Sequence, residues 1–427
     1  MIRLAASTCD VTPSQPLPLA GYAERKGNFS KIGSRLEANL VLVGGVENLL
    51  LLVSIDTLFS SEELERSFHD RLGVISGCDI NLCIVASHTH FAPSLDSALS
   101  GLGKVCGKYL GQVVEALFGE FEEMLRAFSS EVERPVYGGL LSKVDLPSNI
   151  SRRRMAWGIP PNGFFPTRRC VVAPNPDVQV PSELELCVLQ EDGVPCAVIW
   201  SWPCHTVNEP CRDAVSSDFV GVAREEIRGR LGRSSLPVLY LPGLAGDIRY
   251  RSSCRSFKVR HILRFGLAPR FRPNSEQLFE QLSDQIRNGV RSGLSSALES
   301  SPIELAEPRI SRRTVAVSEL VCGEVEQRFD ILFLDLGALQ VLGIGAEVCS
   351  GYRELACSLV PEGTWMTGYV GPVYGYLPTD ADLLAGGYES EGFRRAFGLD
   401  HPYRDRIQDR VLEEIRLCVS GNGNLDS

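Results

Sequence analysis

Short apolar runs rich in β-branched residues alternate along this chain with longer stretches in which apolar residues recur every three or four positions. Ile80-Asn81-Leu82-Cys83-Ile84-Val85-Ala86, bounded by Asp79 and Ser87, predicts a buried strand, and Ala197–Trp202 and Leu339–Ile344 read the same way. Leu110, Val113, Val114, Leu117, Phe121, Met124, Leu125 and Phe128 keep helical spacing, as do Leu278, Leu282, Ile286, Val290 and Leu294. Each set predicts a helix with one face in the core. Pro273-Asn274, with Gln277 three residues after the asparagine, predicts that Asn274 caps the second of these helices. A last amphipathic segment runs from Arg404 to Cys418, and the glycine-containing stretch after it predicts a disordered tail over 420–427. The pattern as a whole predicts an α/β fold with mixed central sheet or sheets flanked by helices.

The predicted strands end on chemistry. Ser87-His88-Thr89-His90 follows the first, Pro203-Cys204-His205 the second and Gly345-Ala346-Glu347 the third. Two imidazoles and a carboxylate are a common protein set for a catalytic zinc, which keeps one position open for water or substrate. If extended geometry persists past Ala86, His88 and His90 project to the same side. Three strand ends meeting at one sheet edge predict a metal site there. On a strand Cys204 would point away from His205, which argues against it as a ligand. Taken alone, a His-x-His is more often a packed pair, and a glutamate after a strand a loop charge.

Further segments widen the case. Cys9-Asp10-Val11-Thr12-Pro13, Leu19-Ala20-Gly21-Tyr22, Ser54-Ile55-Asp56, Ile150-Ser151-Arg152-Arg153 and Ser217-Asp218-Phe219-Val220-Gly221 join the histidine segments. Ala245-Gly246-Asp247, Tyr374-Gly375-Tyr376-Leu377-Pro378-Thr379 and Gly387-Tyr388-Glu389 complete the series. In this order and spacing the chain resembles the catalytic domain of the neutral/alkaline (non-lysosomal) ceramidases. The resemblance implies a zinc held by His88, His205, Glu347 and Tyr376. It implies catalytic or substrate-binding roles for His90, Arg152 and Tyr388, and a place for Gly21 close to the reacting carbonyl. Asp56, Asp218 and Asp247 are candidates to orient ligand histidines, or else caps of strand ends.

One departure separates this chain from that family. Ceramide-cleaving members have an essential serine two residues after the aspartate of the Gly-Asp motif, whereas this chain reads Gly246-Asp247-Ile248-Arg249. A guanidinium stays protonated and cannot act as a nucleophile, but it pairs bidentately with carboxylate or phosphate. From Arg249 to Arg272 the chain carries seven arginines and Lys258 without an aspartate or glutamate. Most of that run reads as a solvated basic loop or a subunit contact. Arg249, which the motif sets beside the metal, instead points to a small anionic substrate such as an N-acylated amino acid or a lactam acid.

Composition narrows the remaining classes. Apolar residues make up 44% of the 427, enough for a large core, and the net charge of −10 argues against nucleic-acid or anionic-membrane partners. The motifs run from Asp10 to Glu389, so one catalytic domain over 1–419 is expected, without the C-terminal β-sandwich that family members carry. The start lacks the hydrophobic stretch of a signal peptide, and no run reaches the ~18 apolar residues of a membrane span. Fourteen cysteines without a Cys-x-x-Cys pair read as reduced core residues of a cytoplasmic protein. The expectation is a zinc-dependent hydrolase of a C–N amide bond, with a small-molecule substrate and no stable membrane association. An oligomer is compatible with it. The alternatives are an amide-forming acyltransferase or cyclase on the same zinc, separable by assaying condensation beside hydrolysis, or a metal-retaining homologue without activity.

Overall fold

The computed structural model describes the chain apart from residues 1, 46–47, 76–78, 100, 129–136, 160–162, 256, 267 and 422–427, and apart from the side chains of 73–75, 79, 260, 264 and 265. Three sheets form the frame. In the first, Arg3–Asp10, Glu37–Gly44 and Asn48–Ile55 pair antiparallel and Asp79–Ala86 adds in parallel at the edge. The second has the order Val238–Tyr240, Val194–Ser201, Glu183–Glu191, Tyr137–Asp145, Ile303–Glu304. The third has the order Arg309–Ala316, Arg328–Asp335, Gln340–Ile344, Trp365–Thr367. All three mix parallel and antiparallel pairs or carry a parallel edge strand. The expected mixed sheets flanked by helices are what the chain forms.

Strand sequences that are apolar at nearly every position are explained by burial on both faces. Leu40, Leu42, Leu51 and Val53 project toward the helices Glu62–Ile75 and Gly107–Phe128, with Leu117 and Phe121 fully buried among them. Their alternates Val41, Val43, Leu50 and Leu52 project the other way, into a core shared with Cys187, Leu189 and Ile199 of the second sheet and Leu332, Leu334 and Val341 of the third. The three sheets thus pack about one apolar centre. Cys83 and Cys187 belong to it, but the expectation of core cysteines holds only in part, since Cys322 and Cys357 are exposed.

The two long helices run over Gly107–Phe128 and Glu276–Glu299, and the last amphipathic segment forms Ile407–Val419. The cap of the second is corrected by one residue. Ser275, not Asn274, accepts from the Leu278 N–H at 3.3 Å, while Asn274 donates to Val207 O and Glu209 O at 2.5 and 3.1 Å. Asn274 is spent on holding the loop after His205. Ser420 closes the final helix; residues 422–427, most of the expected tail, lie outside the described residues. Among the described residues no helix is long and apolar enough to cross a membrane.

Ile286 sits at the centre of the buried face of Glu276–Glu299 with no exposure. Ile286→Ala is expected to lower unfolding free energy by about 2–5 kcal/mol in chemical denaturation. Gln285→Ala, on the exposed face, should stay within about 0.5 kcal/mol of the unaltered protein.

Candidate metal centre

Each histidine segment leaves its strand through an irregular turn. The Asp79–Ala86 strand stops two residues before His88, whose backbone is left-handed with φ 60°. Extended geometry therefore does not persist as expected, and it is this turn that brings the His88 and His90 rings together edge-on, centroids 4.8 Å apart. Such a backbone costs of order 1–3 kcal/mol and survives only where its surroundings impose it. Here Tyr369 stacks on the His88 ring at 4.3 Å and Thr206 Oγ1 donates to the His88 carbonyl. His205 follows Val194–Ser201, and its N–H donates to Ile248 O. Glu347 opens a two-residue strand that pairs in parallel with Tyr376–Leu377, in a register that sets Glu347 directly beside Tyr376. The three strands belong to three different sheets, so the site lies where sheets converge and not, as expected, along one sheet edge.

The ring nitrogens decide what the group can do. His88 Nδ1 lies 3.1 Å from Leu58 O, His90 Nδ1 3.0 Å from Gly21 O and His205 Nδ1 2.8 Å from Ala245 O. A carbonyl only accepts, so each Nδ1 holds the proton, and in a neutral ring Nε2 is left with its lone pair. Burial and then Arg152 hold the His205 imidazole down to about 3, and burial with the neighbouring imidazoles holds His90 well below its usual value. These Nε2 lone pairs face one another. His88 Nε2 is 3.3 Å from His205 Nε2, and Glu347 Oε2 is 3.2 Å from the former and 3.3 Å from the latter. Burial works to raise the Glu347 carboxyl, and only positive charge placed among these atoms holds it below the usual carboxylate range, since two neutral imidazoles offer it no proton. Its Oε2 is buried and has no hydrogen bond.

Acceptors this close repel unless a cation stands between them. Donors placed tetrahedrally about zinc at 2.0–2.1 Å stand roughly 3.3 Å apart. The His88, His205 and Glu347 triangle has those edges, and Tyr376 Oη lies 3.5 Å from His205 Nε2. His90 Nε2 shares one such edge, 3.3 Å to His88, and makes no ion pair with Glu347. The ligand nitrogens of all three histidines lie within 4.8 Å of one another. The residues present fit a metal ion.

Two solved structures share this architecture. One is neutral ceramidase from Pseudomonas aeruginosa, with a TM-score of 0.71 and 13% identity over 100% of this chain and 75% of that one. The other is a ceramidase complexed with C2, with a TM-score of 0.69 and 13% identity over 100% and 76%. The fold is that of the neutral ceramidases. No protein-family model and no curated protein sequence matches the chain. At this identity the ceramidase likeness is one of fold.

Within that ceramidase fold, Arg152 is buried against the metal group: Nη1 is 3.1 Å from His205 Nε2 and Nη2 donates to Tyr376 Oη at 2.8 Å. Burial alone would lower its pKa, but Tyr376 and Glu389 outweigh burial and hold the guanidinium charged. Tyr388 packs near Tyr376, ring centroids 5.5 Å apart, and burial pushes its phenol up to about 12. Gly21 has φ 94°, and a Cβ there would come within 2.4 Å of His90 Nδ1. Its contact is with His90, whose proton its carbonyl accepts.

The three aspartates do not touch a histidine ring. Asp56 accepts from Glu37 N and pairs with Arg224, both at 3.0 Å. Asp218 caps Phe219–Leu231 and accepts from Asn208, which donates to His205 O. Asp247 accepts from Ser350 N and Oγ, and its carbonyl accepts from Arg152 N. Backbone carbonyls orient the rings instead. Cys204 faces the apolar core of the second sheet, consistent with its exclusion as a ligand.

Other neighbours had no signal in residue type or spacing. Glu389 is buried and accepts from Arg152 Nε and Arg153 Nη1, both at 2.7 Å. Arg25 donates to Ala20 O and His90 O at 2.8 and 2.9 Å. Tyr22 lies beside His90, ring centroids 5.1 Å apart. Tyr22 and Tyr388 also form part of the wall of a cleft of about 1210 Å³. Arg249 lines the same cleft, its guanidinium 4.8 Å above the Phe271 ring. It adjoins the site through these tyrosines without contacting His88, His205, Glu347 or Tyr376.

Gly21→Ala combines a positive φ with the collision at His90, whereas at Gly27, φ 82°, an added Cβ meets nothing within 4 Å. Gly21→Ala is expected to cost at least about 1–3 kcal/mol more in unfolding free energy than Gly27→Ala. Equal costs would show that His90 yields freely.

Proposed function

We propose that the chain is a zinc-dependent hydrolase of a C–N amide bond, acting on a small anionic N-acyl or lactam substrate. The observation that carries this is the buried triangle of His88 Nε2, His205 Nε2 and Glu347 Oε2, with edges of 3.2–3.3 Å and Tyr376 Oη at its side. In this reading those four residues hold the ion. When bound, zinc polarises an amide carbonyl and acidifies water, the chemistry amide hydrolysis needs.

The chain's own residues supply the rest. His90, neutral and with Nδ1 tied to Gly21 O, presents Nε2 as the acceptor for the proton of the attacking water and returns it to the leaving nitrogen. Tyr388 keeps its proton far above neutral pH and donates to the developing oxyanion. Arg152 adds a fixed positive charge, held by Glu389 on one side and Tyr376 on the other. Arg249 binds the substrate's carboxylate or phosphate. Its guanidinium makes no ion pair or hydrogen bond among the described residues, while burial pulls its pKa below the usual arginine value. A half-buried cation without a protein partner favours an anionic ligand.

His88→Ala and His205→Ala should lose zinc and activity together, as read by metal analysis and turnover. His90→Ala should keep zinc and lose turnover by about 10²–10⁴. Loss of zinc from the His90 variant would make it a ligand and reverse that assignment.

Ceramide should be a poor substrate of the unaltered protein, and Arg249→Ser should not create efficient cleavage. Against an anionic amide, Arg249→Met should raise KM by an equivalent of about 1.5–3 kcal/mol. Equal turnover of an acid and its neutral methyl ester would contradict an anion pocket.

A further inference from the structure

Among the described residues, the cleft outside the candidate metal centre is lined by five arginines, Arg169, Arg212, Arg249, Arg270 and Arg272, against one carboxylate, Glu391. This concentration stands in a chain whose net charge is −10. Among the described residues, Arg212, Arg249 and Arg272 make no ion pair and no side-chain hydrogen bond, so their donors are not spent on the protein. Two of them are nevertheless held in place. Arg249 stacks on Phe271 at 4.8 Å and Arg212 on Tyr22 at 4.7 Å. Stacking on a ring fixes the plane of a guanidinium and leaves its in-plane N–H fork free for an oxyanion. Tyr22 also packs against His90 at 5.1 Å, so the platform of the outer arginine borders the reacting centre.

Like charges gathered in one cleft raise one another's energy, and a single anionic group on the ligand would neutralise only one of them. We propose that the cleft takes a polyanion: a substrate whose amine or acyl portion carries at least two carboxylate or phosphate groups, one held by Arg249 and another by Arg212 with Arg272. This rests on the amide-hydrolase reading for the reaction but makes its own claim about binding. The cleft's volume of about 1210 Å³ suits a small molecule of this kind.

The test is calorimetric and needs no turnover. The purified chain is titrated at fixed ionic strength with tricarballylate, which has three carboxylates, with butyrate, which has one, and with inorganic phosphate. Tricarballylate should bind at least ten-fold tighter than butyrate, whatever the affinity for phosphate. The stronger of tricarballylate and phosphate identifies the anion as carboxylate or phosphoryl. The double variant Arg212→Gln/Arg272→Gln should lose most of that margin, and Arg212→Lys, which keeps the charge but loses the planar fork, should lose part of it. Equal binding of tricarballylate and butyrate, or a margin untouched by the double variant, would overturn the proposal. Either result would leave the hydrolase reading standing, because that reading is decided by zinc content and amide turnover.

Discussion

The site depends on backbone carbonyls. Leu58 O, Gly21 O and Ala245 O each take the Nδ1 proton of one histidine, and that choice of tautomer aims three Nε2 lone pairs at one another. In a dry interior this arrangement is repulsive on its own, and a donor stands beside His205 Nε2 in Arg152 Nη1 at 3.1 Å while Glu347 Oε2 has none. In the proposed reading a cation held by His88, His205, Glu347 and Tyr376 would convert the repulsion into favourable bonds. The candidate metal centre is therefore prepared by main-chain geometry, and the side chains that would coordinate are oriented in advance.

Main-chain geometry in turn depends on how the sheets meet. Alternate residues of the Glu37–Gly44 and Asn48–Ile55 strands pack against helices on one side and against the other two sheets on the other. That shared core holds three strand ends together, one from each sheet, and each end releases one residue of the candidate site. The Glu347–Val348 pairing with Tyr376–Leu377 adds the tyrosine in register. Arg152 then ties the group to Glu389 and so to the turn that carries Tyr388. The cleft, with its stacked arginines, begins at Tyr22 and Tyr388, where this rigid centre ends.

Much of this was legible in the residues. Strands over 80–86, 197–202 and 339–344 and the two long helices show in periodicity because burial dictates it. The coming together of His88, His205 and Glu347 could be read from their positions after those strands. Tyr376, Arg152 and Tyr388 came only through the resemblance to ceramidases, since nothing in their spacing marks them. What could not be read was local. The left-handed turn at His88 replaces the expected extension, Ser275 replaces Asn274 as cap, and carbonyls replace Asp56, Asp218 and Asp247 as partners of the rings. Backbone groups are present at every residue and leave no trace in composition, so an orienting carbonyl has no sequence signature. Glu389 and Arg25 act through contacts made across 237 and 65 residues of chain, which local patterning does not record.

Whether a cation stands between the lone pairs is read most directly from zinc per chain in the purified protein, followed by thermal unfolding before and after chelation. One zinc per chain, with a clear fall in melting temperature when it is removed and recovery when it is restored, is the predicted result. A protein that binds no metal from a zinc-containing buffer and melts identically with and without chelator would contradict it.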